Sequence, residues 1–249
     1  MTAMTDNRTA FLNTIKNALK DKPNRSVETA FAPLVDYGDD AAETPDADAL
    51  LQKLLEQATL INIRAYTVKD ADAAGVAVAD LVSEMNPEWG DEKVVVAWPH
   101  PLIKSLKLEN RIPEKGAAFH YTALENPENP TDEEKKRIKD QIVKAYIGVT
   151  TADYCVAETG TLVIRTVPDC PRSVSLAPSI HVAVIEKKVL VNDLKALYKK
   201  LRAELSVDKD AFTRNMTFIT GPSKTGDIEL VMVHGAHGPR YLYLFIIEG

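Results

Sequence analysis

The sequence has only two cysteines, Cys155 and Cys170, among its 249 residues. Two thiols cannot build a disulfide framework, a four-thiolate metal site or an iron–sulfur site. Cys155 lies in an apolar run, where a small core side chain is expected rather than a redox thiol. The chain also lacks a run of about 18 apolar residues, so no membrane-spanning helix is predicted. Its N-terminus lacks the basic and apolar segments of a signal peptide, and we therefore expect a cytoplasmic protein.

Positive charge is in the minority, since 30 Lys and Arg residues stand against 36 Asp and Glu residues, a net charge of −6. A protein that coats phosphate backbones would carry basic clusters, so nucleic acid is not expected as a partner. No internal repeat and no low-complexity tract is visible. With 45% hydrophobic and 27% charged residues, the composition is that of a globular protein large enough to need no disulfide or metal for its core.

The first 45 residues differ from the rest in their pattern. Phe11, Ile15 and Leu19 recur every four residues, which predicts one apolar stripe on a first helix. Residues 21–43 hold scattered Pro and Gly without a period, as is typical of an extended connection. We therefore expect an N-terminal helical arm over residues 1–45 and a single domain over residues 46–249.

From residue 44 onward, helix-like and strand-like segments alternate. Thr44-Pro45 is expected to open a helix, with Thr44 as its cap and Pro45 at its first position. Leu50, Leu51 and Leu54 would line one face of that helix. The strand-like segments are residues 61–68, 93–98, 117–122, 181–185, 216–220 and 241–247, and the helix-like segments are residues 71–85, 132–145 and 190–205. This alternation predicts an α/β fold, a three-layer sandwich with a mostly parallel sheet.

The segment with the clearest chemistry is Gly221-Pro222-Ser223-Lys224-Thr225-Gly226-Asp227-Ile228-Glu229. It follows a predicted strand, as a ligand loop at the carboxyl edge of an α/β sheet does. Its glycines permit unusual backbone angles, so free amides could hold an anion, and a short helix beginning near Thr225 would strengthen that binding. Asp227-Ile228 stands where a nucleotide P-loop requires Lys and Ser or Thr, so ATP or GTP hydrolysis is disfavoured. A plain strand-to-helix turn is the alternative.

A second segment is Ala157-Glu158-Thr159-Gly160-Thr161. A Glu in an apolar strand beside a turn glycine is unusual, because a buried carboxylate normally needs a partner. Glu158 could act as a nucleophile or base, or accept a hydrogen bond from a ligand. In the structural alternative, Glu158 bonds turn amides or Arg172.

A third segment runs from Arg172 to His181 and includes Ser175. Arg172 could clamp a carboxylate or phosphate with two parallel hydrogen bonds. The hydroxyl and proline residues around it favour a structured loop over a helix. A solvated arginine is the alternative.

A fourth segment, His234-Gly235-Ala236-His237-Gly238-Pro239, precedes the last strand. With Asp227 or Glu229 it invites comparison with a two-histidine, one-carboxylate metal site. However, the two histidines lie on a loop that does not fix both rings on one face. No metal is predicted, and His237 is expected to bond the backbone or a ligand.

The order of these motifs, together with Gly148-Val149-Thr150-Thr151-Ala152-Asp153, resembles the lactate-utilization (LUD) domain family from Gly148 to the C-terminus. Lys224 stands where that family usually has Arg, Gly226 where it usually has Ala, and Ala177 where it usually has Leu or Pro. The resemblance implies a fold similar to the sugar-phosphate isomerase and coenzyme A transferase group (NagB/RpiA/CoA-transferase-like). It also implies a part in oxidising L-lactate to pyruvate beside two iron–sulfur partner proteins.

Lactate oxidation needs an electron acceptor, and side chains alone cannot take a hydride. The chain has no G-x-G-x-x-G fingerprint and no cysteine set for a cluster, so we expect no cofactor in this chain. We expect a subunit or accessory factor with an anion or carboxylate site of its own. The predicted ligand-binding residues are Thr159, Gly160, Thr161, Arg172, Ser175, Gly221, Pro222, Ser223, Lys224, Thr225, Asp227, His237 and Gly238, and the catalytic candidate is Glu158. The alternatives are an independent acyl-transfer or sugar-phosphate enzyme that uses Glu158, or a module that senses an anionic metabolite.

Overall fold

The computed structural model describes residues 12–14, 16–17, 45–88, 90–207, 215–226, 232–235 and 237–249. Contacts divide the chain into two units, Met1–Glu43 and Thr44–Gly249. In the first unit, residues 12–14 and 16–17 are helical. Phe11, Ile15 and Leu19, the predicted apolar stripe, lie outside the described residues.

In the second unit, seven α-helices are described along the chain. They are α1 (Ala47–Leu60), α2 (Ala71–Glu84), α3 (Pro101–Ser105), α4 (Leu108–Glu114), α5 (Asp132–Lys144), α6 (Ser173–Leu176) and α7 (Leu194–Val207). The described strands are β1 (Ile63–Val68), β2 (Val94–Ala97), β3 (Ala118–Tyr121), β4 (Ile147–Thr150), β5 (Tyr154–Val156), β6 (Thr161–Arg165), β7 (Ile180–Glu186), β8 (Leu190–Val191), β9 (Met216–Thr220), β10 (Lys224–Gly226), β11 (Met232–His234) and β12 (Tyr241–Ile247).

Helix α1 begins two residues later than the sequence predicts. Asp46, not Thr44, is its cap, and the Asp46 side chain accepts a hydrogen bond of 2.7 Å from the Ala49 amide. A carboxylate at this position also complements the positive end of the helix dipole. Leu50, Leu51 and Leu54 form the buried face of the helix, as predicted.

Six strands form one sheet in the order β1-β12-β7-β4-β2-β3, and every neighbouring pair is parallel. Helices flank this sheet, so the predicted α/β class with a parallel sheet is confirmed. A second, mixed sheet has the order β8-β5-β6-β9, and β10 pairs with β11 in a hairpin. The predicted helix over residues 190–205 is wrong at its start, because Leu190–Val191 pairs with β5 before α7 begins.

Both faces of the parallel sheet are buried. On one face Val96, Ala183 and Leu244 pack with α1, α5 and the second sheet in one apolar cluster. On the other face Val95 and Val182 pack with α2, α3 and α4. Continuous apolar runs such as Lys93 to Trp98 are typical of strands covered on both faces. Within the described part of the chain, no helix is long and apolar enough to cross a membrane.

Helix α6 lies directly against strand β4. A Cβ atom at Gly148 would stand 1.9 Å from the Val174 carbonyl oxygen, so only a residue without a side chain fits there. The close approach fixes the one-turn helix that carries Ser175. The prediction of a loop between Arg172 and His181 is therefore wrong, because the one-turn helix Ser173–Leu176 lies within that segment.

Candidate functional site

Two loops and the end of β9 line an open cavity of about 290 Å³ that we call the loop cavity. It is lined by residues 217–224 and 237–239 and by Ser175, Leu176, His181 and Leu242. Seven of the residues that the sequence proposes as ligand-binding lie here: Ser175, Gly221, Pro222, Ser223, Lys224, His237 and Gly238. The fold thus brings together residues that are more than 60 positions apart in the chain.

The backbone of the first loop is held by its neighbours. Gly221 has φ +77°, and a Cβ there would stand 2.9 Å from the Ile61 carbonyl oxygen. The Ser223 amide donates to Pro239 O at 2.8 Å, and the Gly235 amide donates to Ser223 O at 3.0 Å. The amide of Ser223 is therefore already used, and the predicted cradle of free amides is wrong at this residue.

The loop also lies elsewhere than the sequence predicts. Strand β9, which leads into it, pairs antiparallel with β6 in the mixed sheet. His181 and Leu242 are paired near the first residues of β7 and β12, so the loop cavity adjoins the amino ends of the parallel strands. The predicted carboxyl-edge position is wrong, and Thr225 lies in strand β10 rather than at the start of a helix.

His181 is a lining residue that the sequence reasoning did not select. It is 1% exposed, and its Nε2 lies 2.8 Å from Thr150 Oγ1. Burial lowers the pKa of His181 to about 3, so the imidazole is neutral at physiological pH. Among the described residues, its Nδ1 has no hydrogen-bond partner. The signal available in the sequence was a single histidine in the otherwise apolar strand Ile180–Glu186.

The charge of the loop cavity favours an anion. Lys224 is the one charged residue in the described lining, and no carboxylate lines it. The Lys224 ammonium donates to Ile61 O at 3.4 Å, a long bond that an anion could replace. Ser223 Oγ makes no hydrogen bond to any described residue. A positive charge beside an unused hydroxyl is an arrangement that binds a small carboxylate or phosphate.

Glu158 lies outside the loop cavity. It follows β5 in the turn that leads to β6, and its side chain is 55% exposed. Its Oε1 lies 3.8 Å from Lys53 Nζ. The expectation of a Glu in an apolar strand is therefore wrong, and its charged neighbour is Lys53 rather than Arg172.

Thr159 and Thr161 are linked by hydrogen bonds to Thr220, a lining residue of the loop cavity. The Thr159 and Thr161 hydroxyls lie 2.7 Å apart, and Thr161 Oγ1 lies 2.8 Å from Thr220 Oγ1. Thr220 lines the loop cavity. The turn around Gly160 therefore steadies the end of β9, where the ligand loop begins.

Arg172 is exposed just before α6. Its carbonyl accepts a 2.8 Å hydrogen bond from Ser175 Oγ, and its guanidinium has no ion-pair partner among the residues described. Asp227 and Glu229, considered above as metal ligands, lie outside the described residues. Among the described residues, no group of three or more His, Cys, Asp or Glu side chains is placed to hold a metal ion.

These features define an α/β protein with a small cavity whose charged lining residue, among those described, is Lys224. The sequence model of the LUD domain matches residues 51–247, and the chain belongs to this family. The resemblance noted from the motifs is confirmed.

The relatives of the chain match it from end to end or over part of its length. Lactate utilization protein C of Halalkalibacterium halodurans is 27% identical over 249 residues, 98% of this chain and 99% of that protein. The uncharacterized protein YkgG of Escherichia coli is 26% identical over 244 residues, with 98% and 99% covered. Lactate utilization protein C of an Exiguobacterium species is 35% identical over 111 residues, 43% of this chain and 47% of that protein.

A solved structure has the same fold. The crystal structure of a DUF162 family protein from Deinococcus radiodurans superposes with a TM-score of 0.53 and 17% identity. The match covers 82% of this chain and 99% of that one. At this identity the likeness concerns the fold alone.

Proposed function

We propose that this chain is a component of an L-lactate-oxidising system and that its loop cavity binds a small carboxylate, lactate or pyruvate. The proposal rests on one observation: Lys224, Ser223 and His181 line the same cavity, and the described lining contains no carboxylate. Support for the metabolic role comes from relatives named lactate utilization protein C, one of which aligns over nearly the whole chain.

In the proposal, different side chains of the loop cavity bind the carboxylate and the 2-oxygen of a 2-hydroxy acid. Lys224 and Ser223 hold the carboxylate through a charge-assisted hydrogen bond and a hydroxyl hydrogen bond. His181 is neutral because burial lowers its pKa to about 3. A neutral imidazole can exchange a hydrogen bond with the 2-hydroxyl or the 2-keto oxygen without repelling the ammonium group.

The oxidation of lactate to pyruvate releases two electrons and two protons. Cys155 and Cys170 are both buried, and burial raises the pKa of each thiol to about 12. They are therefore core thiols rather than ready cluster ligands. In the proposal, the two electrons pass to iron–sulfur partner proteins, the two protons are released to water, and this chain supplies the carboxylate site. The exposed position of Glu158 lends no support to a transferase in which this carboxylate is the nucleophile.

Growth on lactate tests the proposal. Deleting the gene should abolish growth on L-lactate as sole carbon source and leave growth on pyruvate, the product, intact. Wild-type protein and Lys136→Ala, a change on the exposed face of α5, should restore growth on L-lactate. Lys224→Ala, expressed to the same level, should not.

Two outcomes would contradict different parts of the proposal. If the deletion strain grows on L-lactate as its parent does, the metabolic role is wrong. If Lys224→Ala restores growth as fully as Lys136→Ala does, the role of the loop cavity is wrong.

A further inference from the structure

A second cavity lies at the carboxyl ends of β2 and β4 and shares no lining residue with the loop cavity. It has a volume of about 300 Å³ and is lined by Trp98, His100, residues 151–153, Arg165, Val167 and Cys170. Trp98 and His100 follow the carboxyl end of β2, and residues 151–153 follow the carboxyl end of β4. We call it the switch-point cavity, and none of its lining residues belongs to the site proposed above.

The topology explains why a cavity opens here. Strands β2 and β4 are parallel neighbours. The next strand of this sheet after β2 is β3, on one side, whereas the next one after β4 is β7, on the other side. Connections that leave two adjacent strands in opposite directions open a crevice at their carboxyl ends, and this is where α/β sheets bind ligands.

Hydrogen bonds hold three side chains of the cavity lining, Trp98, Asp153 and Arg165. Trp98 is 3% exposed, and its indole N–H donates to Pro171 O at 3.0 Å. Asp153 accepts hydrogen bonds from the Arg165 amide at 2.8 Å and from Arg165 Nε at 2.9 Å. The Arg165 guanidinium also donates to Glu204 at 2.8 Å. A pocket whose side chains are already held in place loses little entropy when a ligand binds.

Three polar groups of the lining remain for a ligand. Thr151 is 7% exposed, and in the part of the chain that is described its hydroxyl makes no hydrogen bond. His100 Nδ1 accepts the Leu102 amide at 3.2 Å, and burial lowers the pKa of His100. The neutral ring therefore carries its proton on Nε2, which makes that atom a donor. The cavity offers one donor from His100, one hydroxyl from Thr151 and the remaining lone pairs of Asp153.

The charged groups at and beside the cavity include more carboxylates than cations among the described residues. Asp153 and Glu204 both form ion pairs with Arg165, and Asp169 adds a further negative charge beside Cys170. This excess of negative charge contrasts with the loop cavity, whose charged lining residue is Lys224. A carboxylate ligand is therefore less favoured here than in the loop cavity, whereas a neutral group with both a donor and an acceptor fits.

We propose that the switch-point cavity binds a neutral, ring-sized compound that bears a primary amide or an equivalent donor–acceptor pair. The amide N–H groups donate to Asp153 and Thr151, and the amide oxygen accepts from His100. The volume of about 300 Å³ is at the lower end of small-molecule sites, which suits a single ring.

Benzamide and benzoate are matched probes for this site, because they have the same shape and differ in charge. The chain has two tryptophans, so the indole N–H signal of Trp98 can be assigned in a ¹⁵N spectrum with the variant Trp89→Phe. Benzamide should move the Trp98 signal in a saturable manner, and benzoate at equal concentration should not. L-Lactate, which is an anion like benzoate, should not give a saturable shift of this signal either.

The variant Thr151→Val keeps the shape of the side chain and removes the hydroxyl. Because no described hydrogen bond is lost, its melting temperature should stay within about 2 °C of the wild-type value. Its affinity for benzamide should fall roughly fivefold, the effect of one lost hydrogen bond. The proposal is overturned if benzamide leaves the Trp98 signal unmoved, if benzoate binds as well as benzamide, or if Thr151→Val binds benzamide as the wild type does. None of these results depends on whether the loop cavity binds lactate.

Discussion

At the scale of single residues, burial determines the protonation state of His181. Its ring is 1% exposed and meets Thr150 at 2.8 Å. Burial lowers its pKa to about 3, against about 6.5 in an unfolded chain. Between these pH values the unfolded chain binds a proton that the folded chain does not. The free energy of unfolding should therefore fall as the pH drops below 6.5, by about 1.4 kcal/mol per pH unit.

The variant His181→Asn should lose the part of the pH dependence of stability that comes from His181. Between pH 7.5 and pH 5 the wild type should lose about 2 kcal/mol more stability than the variant does, as measured by urea unfolding. Thr150→Val is the control, since it keeps the buried histidine and should keep the wild-type loss. The burial of His100 acts in the same direction and is common to all three proteins. Equal losses in wild type and His181→Asn would show that His181 is not held neutral by burial.

Two glycines with nearly the same backbone angle test the packing of the ligand loop. Gly221 has φ +77° and Gly116 has φ +76°, so an alanine at either position carries the same left-handed strain of about 1–2 kcal/mol. A Cβ at Gly116 would meet nothing within 4 Å, whereas one at Gly221 would stand 2.9 Å from Ile61 O. Gly221→Ala should therefore destabilise the protein by about 1–3 kcal/mol more than Gly116→Ala does. Equal melting temperatures of the two variants would contradict the close approach to Ile61.

At the scale of the elements, the start of α1 depends on one carboxylate. The Asp46 side chain accepts the Ala49 amide at 2.7 Å. Asp46→Ala should destabilise the protein by about 1 kcal/mol, while Asp46→Asn, which can still cap the helix, should cost much less. Urea unfolding of the two variants at pH 7 checks this. If both variants lose the same stability, the hydrogen bond at Asp46 is not what fixes the start of the helix.

The sequence predicts elements well where one pattern decides them. The run from Lys93 to Trp98 is continuous and apolar, and it forms the fully buried strand β2. Boundaries depend on contacts that a local pattern does not contain. Leu190–Val191 reads as the start of a helix, but pairing with β5 makes it a strand. Similarly, Lys224–Gly226 pairs with Met232–His234 in a hairpin, and nothing in the loop sequence distinguishes this pairing from the start of a helix.

At the scale of the whole molecule, the sequence predicts which residues come together in the candidate site better than it predicts where that site lies in the fold. Motifs far apart in the chain, around Ser175, Ser223 and His237, do meet in one cavity. Their position at the amino ends of β7 and β12 follows from the pairing of β9 with β6. The sequence does not show which sheet a strand joins. The apolar neighbours of Glu158 predict a buried carboxylate, but the turn after β5 leaves its side chain exposed.

At the same scale, two cavities of the molecule differ in the charge of their lining. The loop cavity carries Lys224, whereas the switch-point cavity is bounded by Asp153 and its partner Arg165. This difference is the basis for proposing a carboxylate ligand for the loop cavity and a neutral ligand for the switch-point cavity.

The central claim is that the loop cavity binds the carboxylate of lactate through Lys224. Isothermal titration calorimetry of the full chain with L-lactate tests it directly, with Lys224→Ala and the matched control Lys136→Ala. We predict saturable binding to the wild type and to Lys136→Ala, and an affinity at least about tenfold lower for Lys224→Ala, since a charge-assisted hydrogen bond is lost. The absence of binding to the wild type, or equal affinity in Lys224→Ala, would contradict the claim.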